Sequence, residues 1–172
     1  DKVAICGYHG WHDWYLSANH NGGDDLSGHL LGGLSPKGVP KNLKNTVYPF
    51  DYNDFEELLS IVDNNEIGVI KMEVVRNFGP EDNFLHKIRK LATDRNIVLI
   101  FDECTSGFRE TFGGIYNKYG VEPDMAMYGK TLGNGYAITA VVGKKSVMEA
   151  AQNTFISSTF WTERIGPTAA LA

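Results

Sequence analysis

A short apolar strand that runs straight into one lysine and a glycine-rich turn constrains this chain more than any other feature: Pro123-Asp124-Met125-Ala126-Met127-Tyr128-Gly129-Lys130-Thr131-Leu132-Gly133-Asn134-Gly135. A solubilising surface charge is not placed at such a junction. Upstream, Ile97-Val98-Leu99-Ile100-Phe101-Asp102-Glu103 is an apolar run ending in two carboxylates. That is the pattern of a buried parallel strand that delivers an acid to a site at its carboxyl end. Ile67 to Glu73 is another buried strand, and Pro80 leads from it into a helix with Phe84, Ile88 and Leu91 on one face. Strand, helix and strand in this order predict a right-handed crossover and parallel pairing. Ala137 to Gly143 follows Asp124–Tyr128 after a brief turn, too short for a crossover helix, so these two strands are expected to be antiparallel.

The remaining elements are less regular. Lys2 to Gly7 reads as a short strand, and Tyr8 to Tyr48, glycine-rich and aromatic, has neither helical nor alternating period and reads for the most part as loop. Asp51 or Asn53 is expected to cap a helix whose stripe is Phe55, Leu58, Leu59 and Val62. Ser146 starts a further helix, Phe155 to Phe160 is extended or loop, and Thr168 to Ala172 begins a helix. The fold class is α/β, a mostly parallel sheet with one antiparallel strand.

The 172 residues suffice for about one domain with a substantial core. With 16 basic and 21 acidic side chains the net charge is −5, and there is no basic block, so nucleic acid and anionic membrane surfaces are not expected partners. No apolar run approaches the roughly 20 residues of a membrane span. Two cysteines, Cys6 and Cys104, are too few for a disulfide framework and point to a reducing cytoplasm. The amino end reads as a strand entered midway through a longer protein. Gly129-Lys130-Thr131 has the look of a phosphate loop, but Asp124 stands where that loop needs glycine and would repel phosphate. His9, His12 and Asp13 lack a third histidine or cysteine at metal-site spacing, so no metal is expected.

A lysine and an aspartate presented at strand ends suggest pyridoxal phosphate chemistry: the lysine forms the aldimine, and the aspartate keeps the pyridine nitrogen protonated so that the ring accepts electrons. The blocks Asp102-Glu103-Cys104-Thr105-Ser106-Gly107-Phe108-Arg109, Gly120-Val121-Glu122-Pro123-Asp124 and Gly129-Lys130-Thr131-Leu132-Gly133-Asn134-Gly135 carry a resemblance in both content and spacing. They resemble the class III aminotransferases, which include ornithine and omega-amino acid transaminases and glutamate-1-semialdehyde aminomutase. Tyr8-His9-Gly10 and Ser158-Thr159-Phe160 extend the resemblance over essentially the whole chain.

The resemblance implies the large domain of a fold-type I pyridoxal 5'-phosphate-dependent transferase, with helices on both faces of the sheet. It implies that residues 1–172 are a part of that domain, without the amino-terminal phosphate loop and the carboxyl-terminal small domain, and inactive alone. Lys130 is then the Schiff-base nucleophile and proton carrier, and Asp102 the partner of the pyridine nitrogen. Tyr8 resembles the aromatic stacked over the ring. Cys104 takes the place of a small branched residue beneath it, and Thr105 stands where glutamine, histidine or methionine is common near the ring hydroxyl. Thr159 resembles the threonine that reaches across a dimer interface to the neighbouring cofactor phosphate, with Thr162 a competing candidate because Phe160-Trp161-Thr162-Glu163-Arg164 departs from the family pattern.

The expected activity is transfer of an amino group between an amine or amino acid and a keto acid, in a homodimer or larger assembly. Two alternatives stand beside it: an aminomutase of the glutamate-1-semialdehyde type, and a non-catalytic piece that folds and oligomerises without cofactor.

Overall fold

The computed structural model describes residues 2–7, 17–18, 40–75 and 77–172. They fall into two compact units, the first formed by residues 1–73 and 80–97 and the second by 74–79 and 98–172. In the first, β1 (Lys2–Cys6) pairs in parallel with β2 (Val47–Pro49) and with β3 (Ile67–Glu73). Val3, Ala4, Ile5 and Cys6 are all buried, the near-continuous apolar run that a parallel strand covered on both faces requires.

Strand β2 corrects the expectation of loop through Tyr48. It has only three residues and ends in proline, too little for a periodic signal, and it survives as the edge strand, where a residue without an N–H is tolerated. Ser17 anchors this corner, its buried hydroxyl contacting the Leu43 carbonyl and lying 2.7 Å from Thr46 Oγ1.

Helix α1 (Phe55–Asn64) buries Leu58 and Val62, as the stripe predicts, but its cap is Asp54, not Asp51 or Asn53. Asp54 Oδ1 accepts the Glu57 N–H at 2.9 Å, and the Asp51 N–H donates to Glu57 Oε2 at 2.7 Å. The side-chain oxygen of Asn53 is otherwise engaged, accepting the Glu81 N–H at 3.1 Å. Helix α2 (Phe84–Asp94) buries Phe84, Leu85, Ile88, Leu91 and Ala92. It stops where Asn96 turns left-handed (φ 54°): Asn96 N–H bonds to Thr93 O at 3.3 Å and Ile97 N–H to Ala92 O at 2.8 Å, closing the last turn.

In the second unit, β4 (Val98–Asp102) lies parallel to β5 (Met125–Tyr128), with Ile100 opposite Met125 and Asp102 opposite Met127. β6 (Ala140–Gly143) is antiparallel to β5, as its short connection predicts, although it starts three residues later than the apolar run at Ala137. Ile115–Tyr119 forms a 3-10 turn that the sequence reading missed. Helix α3 (Lys145–Met148) starts one residue before Ser146, and helix α4 (Ile165–Leu171) begins ahead of the expected Thr168. Among the described residues no helix is long and apolar enough to cross a membrane.

The strands of the second unit are tied together by Asp124, which is 9% exposed. One oxygen accepts the Leu99 N–H of β4 at 2.9 Å and the other accepts Lys144 Nζ, just past β6, at 2.8 Å. One carboxylate just ahead of β5 thus grips both neighbouring strands. Asp124→Ala strands the buried Leu99 N–H and is expected to cost about 2 kcal/mol, with Asp124→Asn losing less. Urea unfolding of the whole protein measures this, and equal midpoints for Asp124→Ala and the parent would refute it.

Candidate active site at the carboxyl ends of β4 and β5

Parallel pairing brings the ends of β4 and β5 to one edge, the place where open α/β sheets bind ligands. Asp102 is the last residue of β4, and Lys130 follows the last residue of β5 by two positions. The Glu103 N–H donates to Met127 O at 2.8 Å and carries the pairing one step beyond Asp102. Asp102, half-buried, then turns the chain: its Oδ1 accepts the Cys104 N–H at 3.1 Å.

Glu103, adjacent to Asp102 in sequence, has a different task. It is wholly buried, and its carboxylate accepts the Tyr116 N–H at 3.2 Å and the Ser106 hydroxyl. A buried carboxylate is tolerated only with such donors. Glu103 is therefore the internal support of the turn that follows β4. Its partner Tyr116 is 13 residues away in the chain, so no local motif announces it.

The turn from Glu103 to Gly107 closes with the Gly107 N–H on Glu103 O at 2.7 Å. Only glycine fits at its end, because a Cβ on Gly107 would lie 2.7 Å from the Tyr128 ring and 2.8 Å from Glu103 O. Two bonds join this turn to the lysine segment: Thr131 Oγ1 donates to Gly107 O at 2.6 Å, and Lys130 Nζ donates to Thr105 Oγ1 at 2.6 Å. Lys130 itself sits in the left-handed region at φ 43°, a conformation that costs a non-glycine residue on the order of 1 kcal/mol or more and that gathers at functional sites. Its side chain is exposed and so open to reagents and ligands.

Gly129 passes directly over Cys104: a Cβ there would lie 2.8 Å from Sγ. Cys104 is a free, half-buried thiol that fills the space beneath this crossing. Behind the lysine segment, Gly133 packs on Ile138, where a Cβ would lie 2.7 Å from Cγ2, and Gly166 of α4 packs on Ala137 and Ile138.

The described part of the structure thus brings Asp102, Cys104, Thr105 and Lys130 to one edge. Thr159 and Thr162 share an exposed turn, so both remain candidates for one role. Tyr8, Gly10 and the histidines 9 and 12 with Asp13 lie outside the described residues. No group of three or more His, Cys, Asp or Glu among the described residues is placed to hold a metal ion.

The chain is similar to known proteins in sequence and in fold. Residues 7–172 match the Aminotransferase class-III family. The chain is 37% identical over 179 aligned positions to the 3-aminobutyryl-CoA aminotransferase of Cloacimonas acidaminovorans (strain Evry), covering 99% of this chain and 39% of that protein. It is 38% identical to the glutamate-1-semialdehyde 2,1-aminomutase of Nitrosopumilus maritimus (strain SCM1), covering 99% of this chain and 41% of that protein. The fold matches the FumI protein of Sphingopyxis sp. MTA144, solved in its PLP internal aldimine form, with a TM-score of 0.80 at 23% identity over 99% of this chain and 40% of that one. The chain spans about two fifths of the length of these relatives.

One titration follows from the packing beneath the lysine. Tyr128 is buried, and its hydroxyl donates to Tyr116 Oη at 3.3 Å. Burial first, and this hydrogen bond second, hold its phenol well above the ordinary value of 10.0. The folded chain therefore keeps a proton that the unfolded chain releases, so stability is intact below about pH 10 and falls as the pH rises above it. Tyr128→Phe is expected to flatten that alkaline fall, measured by urea unfolding from about pH 9 to about pH 11. Parallel curves for the variant and the parent would contradict it.

Proposed function

The chain belongs to the class III aminotransferases, and from that premise we propose that it carries the lysine-bearing part of an enzyme that moves an amino group between an amine or amino acid and a keto acid. One observation carries the reading. An exposed lysine amine and a carboxylate stand at the carboxyl ends of adjacent parallel strands, and the turn leading out of one strand holds the amine at the end of the other.

The donor set fits pyridoxal 5'-phosphate. Lys130 offers a primary amine open to solvent, Asp102 offers a carboxylate for a protonated ring nitrogen, and Cys104 with Gly129 gives a close-packed floor. When bound, the cofactor supplies an aldehyde that condenses with amines and a ring that takes up electrons. Lys130 Nζ would hold the cofactor through its aldehyde and, when free, would take up and return a proton. Asp102 would face the ring nitrogen and, as a carboxylate, would favour its protonated form. Glu103 and Thr131 hold the two turns in register. Tyr8, Thr105 and Thr159 or Thr162 complete the proposed contacts.

A second reading is an aminomutase, which returns the nitrogen to the same molecule. It is favoured by the 38% identity to the Nitrosopumilus maritimus aminomutase. We further place the protein in the cytoplasm, since its two cysteines, Cys6 and Cys104, are too few for a disulfide framework. We also propose a homodimer or larger assembly, supported by the exposed apolar side chains Phe155, Phe160, Trp161 and Leu171. The net charge of −5 disfavours nucleic acid as a partner.

Borohydride treatment of the full-length enzyme with pyridoxal phosphate is expected to fix one pyridoxyl group to the peptide carrying Lys130. Lys130→Ala is expected to abolish this label and lower transfer on the order of a thousandfold or more. A label on another lysine would sink the site assignment, and no label at all would support the non-catalytic alternative. Release of a keto product separates the transaminase from the aminomutase. Asp102→Asn is expected to leave cofactor bound while changing the pH dependence of its visible absorbance, because the charge facing the ring nitrogen is gone. An unchanged pH dependence would remove Asp102 from that role.

A further inference from the structure

Thr105 touches the atom on which the proposed reaction turns. Resting on the reading of Lys130 as the reacting amine, we propose that Thr105 is a positioning residue for that amine. Its hydroxyl receives the free Lys130 Nζ and holds it in one orientation between proton transfers.

The geometry supports this on both sides of the contact. The Nζ to Oγ1 distance is 2.6 Å, at the short end for a hydrogen bond from nitrogen to oxygen. The lysine side is mobile by nature, since an exposed four-carbon stem has many rotamers open to it. The threonine side is rigid. Its Cβ branch restricts χ1, its carbonyl accepts Arg109 Nε at 2.5 Å, and the turn around it is pinned by Asp102 on the Cys104 N–H and by Gly107 on Glu103 O. A flexible amine thus meets a fixed acceptor.

The chemistry of a hydroxyl suits this position. It accepts a hydrogen bond from the neutral amine and from the ammonium form alike, so the contact survives when a proton is gained or lost. A carboxylate in its place would favour the ammonium form through a charge-assisted bond and hold the amine in its unreactive state. With one N–H committed to Thr105, the lone pair of the neutral amine points away from the turn, so the reacting direction is set before a ligand arrives.

Thr105→Val and Thr105→Ser in the full-length holoenzyme separate this role from a structural one. Thr105→Val keeps the branched shape and loses the acceptor; it is expected to lower kcat about tenfold while KM for the amino donor changes less than about twofold. Thr105→Ser keeps the acceptor and is expected to stay within about threefold of the parent. The second readout is independent of turnover: in cofactor-free protein, the rate of Lys130 labelling by an amine-reactive reagent at one fixed pH, followed by peptide mass, is expected to change in Thr105→Val and not in Thr105→Ser.

Parental kcat and a parental labelling rate in Thr105→Val would overturn the proposal, as would equal losses in both variants. Failure of the site reading looks different, because there borohydride would not fix a pyridoxyl group to Lys130 in the parent enzyme at all. Should Thr105→Val not fold, the labelling rate of Thr105→Ala against Thr105→Ser decides the same question.

Discussion

The hydrogen bond from the Glu103 N–H to the Met127 carbonyl extends the pairing of β4 and β5 one residue past the end of β4, and the local architecture depends on it. It sets the aspartate turn and the lysine segment at a fixed separation, close enough for Thr105 and Gly107 to reach Lys130 and Thr131. The Glu103 side chain repeats the constraint from below by holding Ser106 and the Tyr116 N–H. Two adjacent carboxylates therefore divide the work: Asp102, half-buried, caps the start of the turn at the Cys104 N–H, and Glu103, wholly buried, holds it from within.

The lysine segment is strained and crowded rather than loose. Lys130 adopts a left-handed backbone that its own side chain disfavours. Gly129 and Gly133, on either side, are places where a Cβ would strike Cys104 or Ile138. Such strain persists only where the surroundings over-determine it. The bonds from Thr131 to Gly107 O and from the Leu132 N–H to Gly129 O, the latter at 3.0 Å, supply that determination. A lysine held by its backbone needs only one side-chain contact to place its amine, and this gives Thr105 its leverage.

Strand pairing, in contrast to the turns, is maintained by groups remote from the chemistry. Asp124 grips β4 and the end of β6 from the start of β5, so the sheet edge that presents Asp102 and Lys130 is stabilised at its opposite end. The acidic cleft of the first unit, about 460 Å³ and lined by Asp51, Asp54, Glu81 and Asp82, lies among the starts of α1 and α2 and has no part in this arrangement.

Sequence alone determined the elements whose signal is periodic or abrupt. The apolar runs at Ile67, Ile97 and Asp124, the helical stripe of Phe84, Ile88 and Leu91, and the antiparallel return after a short turn were all legible, because burial of one face or of a whole strand imposes its spacing on the chain. So were Lys130 and Asp102, as polar residues at the ends of apolar strands. Only tertiary structure decided the rest. Strand β2 forms because β1 offers it a partner, not because three residues ending in proline favour extension. The cap of α1 is Asp54 because Asn53 is taken by Glu81, 28 residues away. The tasks of Glu103 and Thr105 depend on Tyr116 and Lys130, 13 and 25 residues distant. A hydrogen bond between residues so far apart leaves no period in the sequence, since its geometry exists only after the strands have paired.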